Sequence, residues 1–225
     1  MDMTPDRWDN TNAYMREVFG KDDDQLATLM DRAIAAGIPA ISVSPEVGVF
    51  LQMLVSTTNN GMGAMRALEL GTLAGYSSTW LSKGLAPDGK LITVELEPKH
   101  ADFAQSFFDS YGIAQSIEVH RGKALDVIDQ LNSEFGPASF DVVFADAVKR
   151  EYPEYVHRAK PLVKVGGLFI MDNALGAGWW IDETPGSNPD RDAADEANRM
   201  LANDPDFLTA CVPLREGITI AKRIK

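Results

Sequence analysis

Residues 66–77 of this 225-residue chain read RALELGTLAGYS. The first five residues form a short apolar run, Gly71 and Gly75 lie in the turn that follows, and helical spacing begins near Ser77. An apolar strand that passes through a glycine turn into a helix is typical of the first half of a parallel β–α–β unit. The stretch therefore predicts an α/β fold, and the flanking sequence decides which kind.

The alternation of strand and helix continues along the chain. Further strands are predicted at residues 91–96, 117–120, 140–145 and 168–171, and helices at 98–111, 125–131 and 152–163, with a turn at 166–167. Near-continuous apolar strands joined by helices favour a parallel sheet that is covered on both faces. Two last strands, 208–214 and 218–223, are separated by only three residues, which predicts an antiparallel hairpin. The prediction is a doubly wound, Rossmann-like α/β fold, with a mostly parallel seven-stranded sheet that ends in this hairpin.

The first 60 residues have a different pattern. Apolar residues recur at three- and four-residue spacing between Leu26 and Ile34, and a second helical stripe runs from about 46 to 57. At about 150 residues per domain, the length is that of one domain with an appendage. We expect a single domain over residues 1–225, made of an N-terminal helical addition (1–60) and a Rossmann-like core (61–225).

Composition excludes several functional classes. The chain carries 33 acidic and 21 basic side chains, a net charge of −12, which disfavours nucleic acid and anionic membranes as partners. The single cysteine, Cys211, excludes an internal disulfide framework and a Cys-based zinc site, and its place in the hairpin predicts a core residue. There is no targeting signal and no apolar run of membrane length, so a cytoplasmic protein is expected.

Ligands in open α/β sheets bind beyond the carboxyl ends of the strands. After the first strand, the spacing of Gly71 and Gly75 is G-x-x-x-G and not the G-x-G-x-x-G of dinucleotide loops, which disfavours an NAD-dependent oxidoreductase. A tight strand–helix connection is the alternative reason for both glycines. Glu95 ends the second strand and suits hydrogen bonding to a ribose diol; the alternatives are a solvated strand-end charge and its neighbour Glu97.

Three oxygen-bearing residues follow the fourth and fifth strands. Asp146 comes after one, and Asp172 and Asn173 come after the other. These strands are neighbours in a doubly wound sheet, so the three side chains can converge as a set of hard oxygen ligands for Mg²⁺, or for Mn²⁺ or Ca²⁺. The alternative is that Asp172 and Asn173 only cap the turn after their strand.

Together these residues resemble the cation-dependent, S-adenosylmethionine-dependent O-methyltransferases, which include catechol and caffeoyl-coenzyme-A enzymes and bacterial relatives. The resemblance covers nearly the whole chain, and it rests on segments 38–46 (IPAISVSPE), 67–77, 93–98 (TVELEP), 146–152, 166–173 and 217–222 (GITIAK). It implies the class I methyltransferase fold, S-adenosylmethionine and a divalent cation as cofactors, a catechol-type small-molecule acceptor, and a homodimer.

The resemblance also implies roles for single residues. The cofactor residues would be Val43 through its backbone, Glu69, Gly71, Tyr76 and Ser77 around the methionine end, Glu95 at the ribose, Gly122 and Ala124 at the adenine, and Asp146. The metal ligands would be Asp146, Asp172 and Asn173, and the catalytic residues would be Lys149, as the general base, and Asp146.

The chain departs from the bacterial pattern at two places. It has Val148 and Lys123 where relatives often have aspartate, and the second change removes an acid near the expected adenine. A surface ion pair with Glu151 is the alternative role for Lys149. Trp179 and Trp180 follow the metal-ligand segment and are a candidate acceptor lid, or alternatively a packing or dimer contact.

The sequence is less compatible with two other functions. Some bacterial members of the resembling family methylate 5-hydroxyuridine in transfer RNA, but the chain has no Lys/Arg-rich run to form a basic stripe. A non-catalytic cofactor-binding protein is disfavoured because Asp146, Lys149, Asp172 and Asn173 are all present.

Overall fold

The computed structural model of the protein describes residues 4–176 and 183–225. Its helices are α1 Pro5–Phe19, α2 Asp24–Ala27, α3 Leu29–Ala35, α4 Pro45–Gly61, α5 Tyr76–Lys83, α6 Pro98–Tyr111, α7 Ala124–Phe135, α8 Tyr152–Ala159 and α9 Pro189–Ala202. Its strands are β1 Ala64–Leu70, β2 Leu85–Glu95, β3 Ile117–Arg121, β4 Phe140–Ala145, β5 Val163–Met171, β6 Phe207–Val212 and β7 Ile218–Arg223. No helix within these ranges is long and apolar enough to cross a bilayer.

The strands form one seven-stranded sheet in the order β3-β2-β1-β4-β5-β7-β6. The pairs from β3 to β5 are parallel, and β7 pairs antiparallel with both β5 and β6. Six strands therefore run in one direction and β7 runs against them. The predicted Rossmann-like sheet with a closing hairpin is confirmed, and β1, β4 and β5 are adjacent as expected.

Both faces of the sheet are covered by helices. Alternate residues of β4 pack on opposite sides, with Val143 and Ala145 in one core cluster and Val142 and Phe144 in the other. Helices α7, α8 and α9 complete the first cluster, and α4, α5 and α6 complete the second. Period-two burial on both faces explains why the central strands are apolar throughout.

The predicted helix at residues 152–163 is wrong at its end. Helix α8 stops at Ala159, a 3₁₀ turn covers Lys160–Leu162, and β5 already begins at Val163. Pro161 lacks the N–H that a continuing α-helix needs. The predicted turn at residues 166–167 lies inside β5, where the pairing with β4 shifts register and Gly166 has a φ of +85°.

The prediction that Cys211 is a core residue is also wrong, because its side chain is exposed. Cys211 pairs with Thr219 of β7, and the Thr219 hydroxyl donates to Asn198 on α9 at 2.6 Å. Helix α9 therefore lies over β7 at this level, and Cys211 is one strand further out, on the sheet edge. The alternation of residues along a strand predicts on which face of the sheet a side chain lies, but it does not predict whether a helix covers that part of the face.

Helix α9 was not predicted from the sequence. The helix begins at Pro189, and the side chain of Asn188 accepts a hydrogen bond from the Asp190 N–H at 3.0 Å. An N-cap asparagine followed by proline at the first helical position is a start signal for a helix. That signal was available in the sequence.

Gly48 lies inside α4 because the indole of Trp80 occupies the space beside it. A Cβ at Gly48 would lie 2.3 Å from Trp80 Cδ1. We expect Gly48→Ala to lower the free energy of unfolding by about 1–3 kcal/mol, since overpacking outweighs the gain of about 1 kcal/mol in helix propensity. Urea unfolding measures this. Met53→Ala, at an exposed position of the same helix, should change it by less than about 0.5 kcal/mol; a Gly48→Ala variant as stable as the unmodified protein would contradict the packing argument.

Candidate active site

Backbone hydrogen bonds carry the sheet beyond the formal ends of its strands. The N–H of Gly71 donates to Val94 at 3.0 Å, that of Asp146 to Leu70 at 2.9 Å, and that of Asp172 to Ala145 at 3.1 Å. Each of these residues follows its strand directly and is bonded to the neighbouring strand. The structure therefore brings the predicted residues after β1, β4 and β5 to one edge of the sheet.

The glycines after β1 have structural reasons of their own. Gly71 has a φ of +102°, and a Cβ there would lie 2.6 Å from the carbonyl oxygen of Asp146. Gly75 has a φ of +88°, and a Cβ there would lie 2.5 Å from the ring of Phe108. A tight strand–helix connection thus accounts for both glycines, and the role of Gly71 at a cofactor stays a prediction.

Glu69 is fully buried and held by hydroxyl groups. Its carboxylate accepts hydrogen bonds from Ser77 at 2.5 Å, from Thr93 at 2.6 Å, and from Ser78. Burial raises the pKa of Glu69 to about 7, the three hydroxyls oppose that rise, and the charge of Asp146 adds to it. Sequence reasoning found Glu69 and Ser77 but missed Ser78 and Thr93.

Tyr76 and Val43 lie in the core cluster that includes α4 and α5. The Tyr76 hydroxyl donates to Asp22 at 2.6 Å, which joins the segment between α1 and α2 to this side of the site. Burial raises the pKa of Asp22. No spacing in the sequence linked Asp22 to Tyr76, because their contact depends on how the N-terminal segment folds back.

Glu95 is buried at the end of β2, so the alternative of a solvated charge is wrong. One of its carboxylate oxygens accepts from the N–H of Leu73 at 2.8 Å, and the other from that of Glu97 at 2.9 Å. Each oxygen has a second lone pair that could accept a ribose hydroxyl. The N–H of Gly122 donates to the Glu95 carbonyl at 2.9 Å, so the predicted ribose and adenine residues are adjacent. Ala124 is buried two residues further on, at the start of α7.

Lys149 forms an ion pair with Asp146 at 2.5 Å, so the alternative pairing with Glu151 is wrong. Glu151 instead accepts a hydrogen bond from Tyr155 at 2.6 Å. Burial favours a neutral Lys149, but the charges of Asp146, Tyr152 and Asp172 and the hydrogen bond to Asp146 together outweigh it and raise the lysine pKa above its usual range. The Lys149 ammonium also lies 5.2 Å from the ring centroid of Tyr152, whose hydroxyl donates to the Asp172 carbonyl at 3.0 Å.

Asp172 is a buried carboxylate close to other negative charges. Burial raises its pKa, the charge of Asp146 adds to the rise, and Glu216 contributes further. Asn173 has a φ of +50°, in the left-handed region that asparagine tolerates. Within residues 4–176 and 183–225, no cluster of three or more His, Cys, Asp or Glu side chains is placed to hold a metal. The predicted set contains two carboxylates and one amide. The candidate lid residues Trp179 and Trp180 lie outside the described residues.

Comparison with known proteins identifies the family. A family model described as O-methyltransferase matches residues 16–224. The chain belongs to the O-methyltransferase family. It is therefore an enzyme, and its seven-stranded sheet has the fold of its methyltransferase structural neighbours.

Individual relatives agree with this family. Catechol O-methyltransferase from Niastella koreensis is 39% identical over 86% of this chain and 85% of its own length. Catechol O-methyltransferase from Mycobacterium tuberculosis is 35% identical over 91% of this chain and 88% of its own. The crystal structure of the O-methyltransferase TomG from Streptomyces achromogenes, in complex with S-adenosylmethionine, is 30% identical and superimposes with a TM-score of 0.86 over 100% of both chains.

The buried carboxyl group of Glu69 predicts a pH dependence of stability. Its pKa is about 7 in the folded protein, against an ordinary value of 4.5, so between these pH values the folded chain keeps a proton that the unfolded chain loses. Stability from this group is therefore full below about pH 4.5 and is lost as pH rises to 7, by about 3 kcal/mol. Unfolding of the unmodified protein and Glu69→Gln should diverge by this amount over that range. The exposed control Glu97→Gln should follow the unmodified protein, and parallel curves for Glu69→Gln would contradict the prediction.

Proposed function

We propose that this enzyme transfers a methyl group from S-adenosylmethionine to one hydroxyl of a catechol-type vicinal diol, with the help of a divalent cation. The observation that carries the proposal is the group of Asp146, Lys149 and Asp172, in which two carboxylates and an ammonium meet at the carboxyl edge of the sheet. The named catechol O-methyltransferases among its relatives support the acceptor class.

The cofactor would lie across the ends of β1 and β2. Glu95 has a free lone pair on each oxygen for the ribose hydroxyls, and Gly122 and Ala124 lie beside it for the adenine. Val43, Gly71, Tyr76 and Ser77 would enclose the methionine end, with Glu69 holding Ser77 in position. The bound S-adenosylmethionine in TomG supports this cofactor for a chain of the same fold.

The residues after β4 and β5 fit a divalent cation. Asp146, Asp172 and Asn173 offer hard oxygen atoms. The pKa of Asp172 is raised by burial first and by the charge of Asp146 second, while the ammonium of Lys149 opposes the rise. A cation bound there would chelate both oxygens of the diol and favour the phenolate. Mg²⁺ suits such a site best, because it prefers carboxylate, amide and water oxygens.

Lys149 would act as the general base. Its ion pair with Asp146 raises its pKa, and this is the interaction that changes when Asp146 serves as a metal ligand. With Asp146 engaged by a cation, the Lys149 ammonium would first release its own proton to solvent, and the neutral nitrogen would then accept the proton of the acceptor hydroxyl. The acceptor oxygen then attacks the methyl group in line, so an O–C bond forms while the S–C bond breaks and S-adenosylhomocysteine leaves.

Metal removal tests the cation. We expect an excess of EDTA, or Asp172→Ala, to reduce catechol methylation at least about 100-fold, with Mg²⁺ restoring the EDTA-treated enzyme. Binding of S-adenosylmethionine, followed by calorimetry, should survive chelation. Asp109→Ala, on the exposed face of α6, is the control and should keep full activity.

The choice of acceptors in the same assay separates the alternatives. Full activity in EDTA would contradict the metal role. Methylation of undermodified transfer RNA but not of catechols would contradict the proposed acceptor and support the 5-hydroxyuridine alternative.

The lysine has its own test. We expect Lys149→Ala to lower kcat by about 10²–10⁴-fold, because proton transfer by a positioned side chain contributes that much. The dissociation constant of S-adenosylmethionine should stay within about threefold. The neighbouring Arg150 is 66% exposed in its side chain and pairs with Asp190, so Arg150→Ala is the matched control. A loss in Lys149→Ala no larger than in Arg150→Ala would argue against a general base at this position.

A further inference from the structure

The first turn of α4 contains buried polar atoms that the proposed mechanism does not use. Both carboxylate oxygens of Glu46 are buried and accept no hydrogen bond from the described part of the chain. Ser44 Oγ and Trp80 Nε1 are also buried, and within the described residues neither has a hydrogen-bond partner. Leaving such groups unpaired is costly, and most of all for a charged carboxylate. Glu46 therefore needs a cation or a donor close by.

Arg215 supplies that cation from the loop between β6 and β7. Its Nε lies 3.7 Å from Glu46 Oε1, close enough for charge attraction but too long for a good hydrogen bond. The Arg215 side chain is 25% exposed. Its two terminal nitrogens donate no hydrogen bond to a residue in the described ranges. Glu46 thus attracts the Nε side of the Arg215 guanidinium, and the terminal N–H groups of Arg215 remain able to donate to a ligand.

The position of Arg215 is unusual for an arginine that only neutralises a buried acid. Its φ is +53°, a left-handed conformation that costs a non-glycine residue roughly 1 kcal/mol. Its loop is bonded to the segment after Asn173, through Ala174 N–H to the Gly217 carbonyl at 2.9 Å and Leu175 N–H to the Glu216 carbonyl at 2.8 Å. Backbone strain of this kind concentrates at functional sites.

These contacts put Arg215 between the two halves of the site. On one side is the start of α4, with Val43 and Glu46. Burial raises the pKa of Tyr76, and the negative charge of Glu46 adds to that rise. On the other side is the loop of Asp172, where Glu216 adds a further negative charge. The hydrogen bonds of Ala174 to Gly217 and of Leu175 to Glu216 hold the loop of Arg215 against the segment that follows Asp172 and Asn173.

We propose that Arg215, held by Glu46, is an anion-binding subsite of the acceptor pocket and selects vicinal diols that carry an anionic group on the same molecule. The inference rests on the proposed function. A neutral catechol has no charge to pair with the guanidinium, whereas an anionic group on the acceptor would form a charge-assisted hydrogen bond with it. Arginine donates in a planar fork that matches a carboxylate or a phosphate.

The test compares acceptors that differ only in charge. With S-adenosylmethionine and Mg²⁺, 3,4-dihydroxybenzoate should have a kcat/KM at least about tenfold above that of its uncharged methyl ester, as expected for a charge-assisted hydrogen bond. Caffeoyl-coenzyme A serves as a second anionic acceptor and separates phosphate from carboxylate recognition. The unmodified enzyme alone can overturn the inference, since equal values for acid and ester leave no anion selection to explain.

A paired substitution then assigns the selection to Arg215. The double variant Glu46→Gln/Arg215→Gln removes both charges together, so neither is left buried alone, and it should lower the acid-to-ester ratio about tenfold. Arg199→Gln makes the same single change of an arginine on exposed α9 and should leave the ratio unchanged. A ratio that persists in the double variant, or equal losses for acid and ester, would overturn the role of Arg215. If the unmodified enzyme methylates neither compound nor catechol, the proposed function itself fails.

Discussion

The backbone hydrogen bonds that continue past the ends of β1, β4 and β5 are the constraint on which the site depends. They hold the first residue after each strand to its neighbour, so Gly71, Asp146 and Asp172 form a row at one edge. The close passage of the Asp146 carbonyl leaves no room for a Cβ at Gly71. The glycine turn is therefore needed to assemble the site before any ligand arrives.

Around this edge, each buried carboxylate is stabilised in a different way. Glu69 accepts hydrogen bonds from three hydroxyls, Asp146 pairs with the ammonium of Lys149, and Glu95 accepts from two backbone N–H groups. Asp172 has less compensation, because Asp146 and Glu216 add negative charge to it. A protein with a net charge of −12 thus concentrates several acids where a cationic cofactor and a divalent cation are proposed to bind, and the half-buried Arg215 faces the buried carboxylate of Glu46.

Much of the fold could be predicted because hydrophobic periodicity is a local property. The strand at residues 140–145 was found to the residue, since burial on both faces makes it apolar throughout. Errors arose where a boundary or a cover depends on tertiary contacts. Cys211 has the alternation of a core position, but α9 does not extend over it. The sequence analysis also missed Ser78 and Thr93 as partners of Glu69, and Asp22 as the partner of Tyr76. Serine, threonine and aspartate are common residue types, and only tertiary contacts show which of them meet a given side chain.

The sequence by itself determined the order of the strands, the family, and the residue types at the strand ends, because apolar spacing and motif order are local properties of the chain. Only the tertiary structure decided that Lys149 pairs with Asp146 and not with Glu151, and that Arg215 meets Glu46 from the opposite end of the chain. Contacts of this kind depend on which segments the sheet order brings together and on the charge that burial leaves uncompensated. Those are properties of the packed molecule, and no spacing along the chain encodes them.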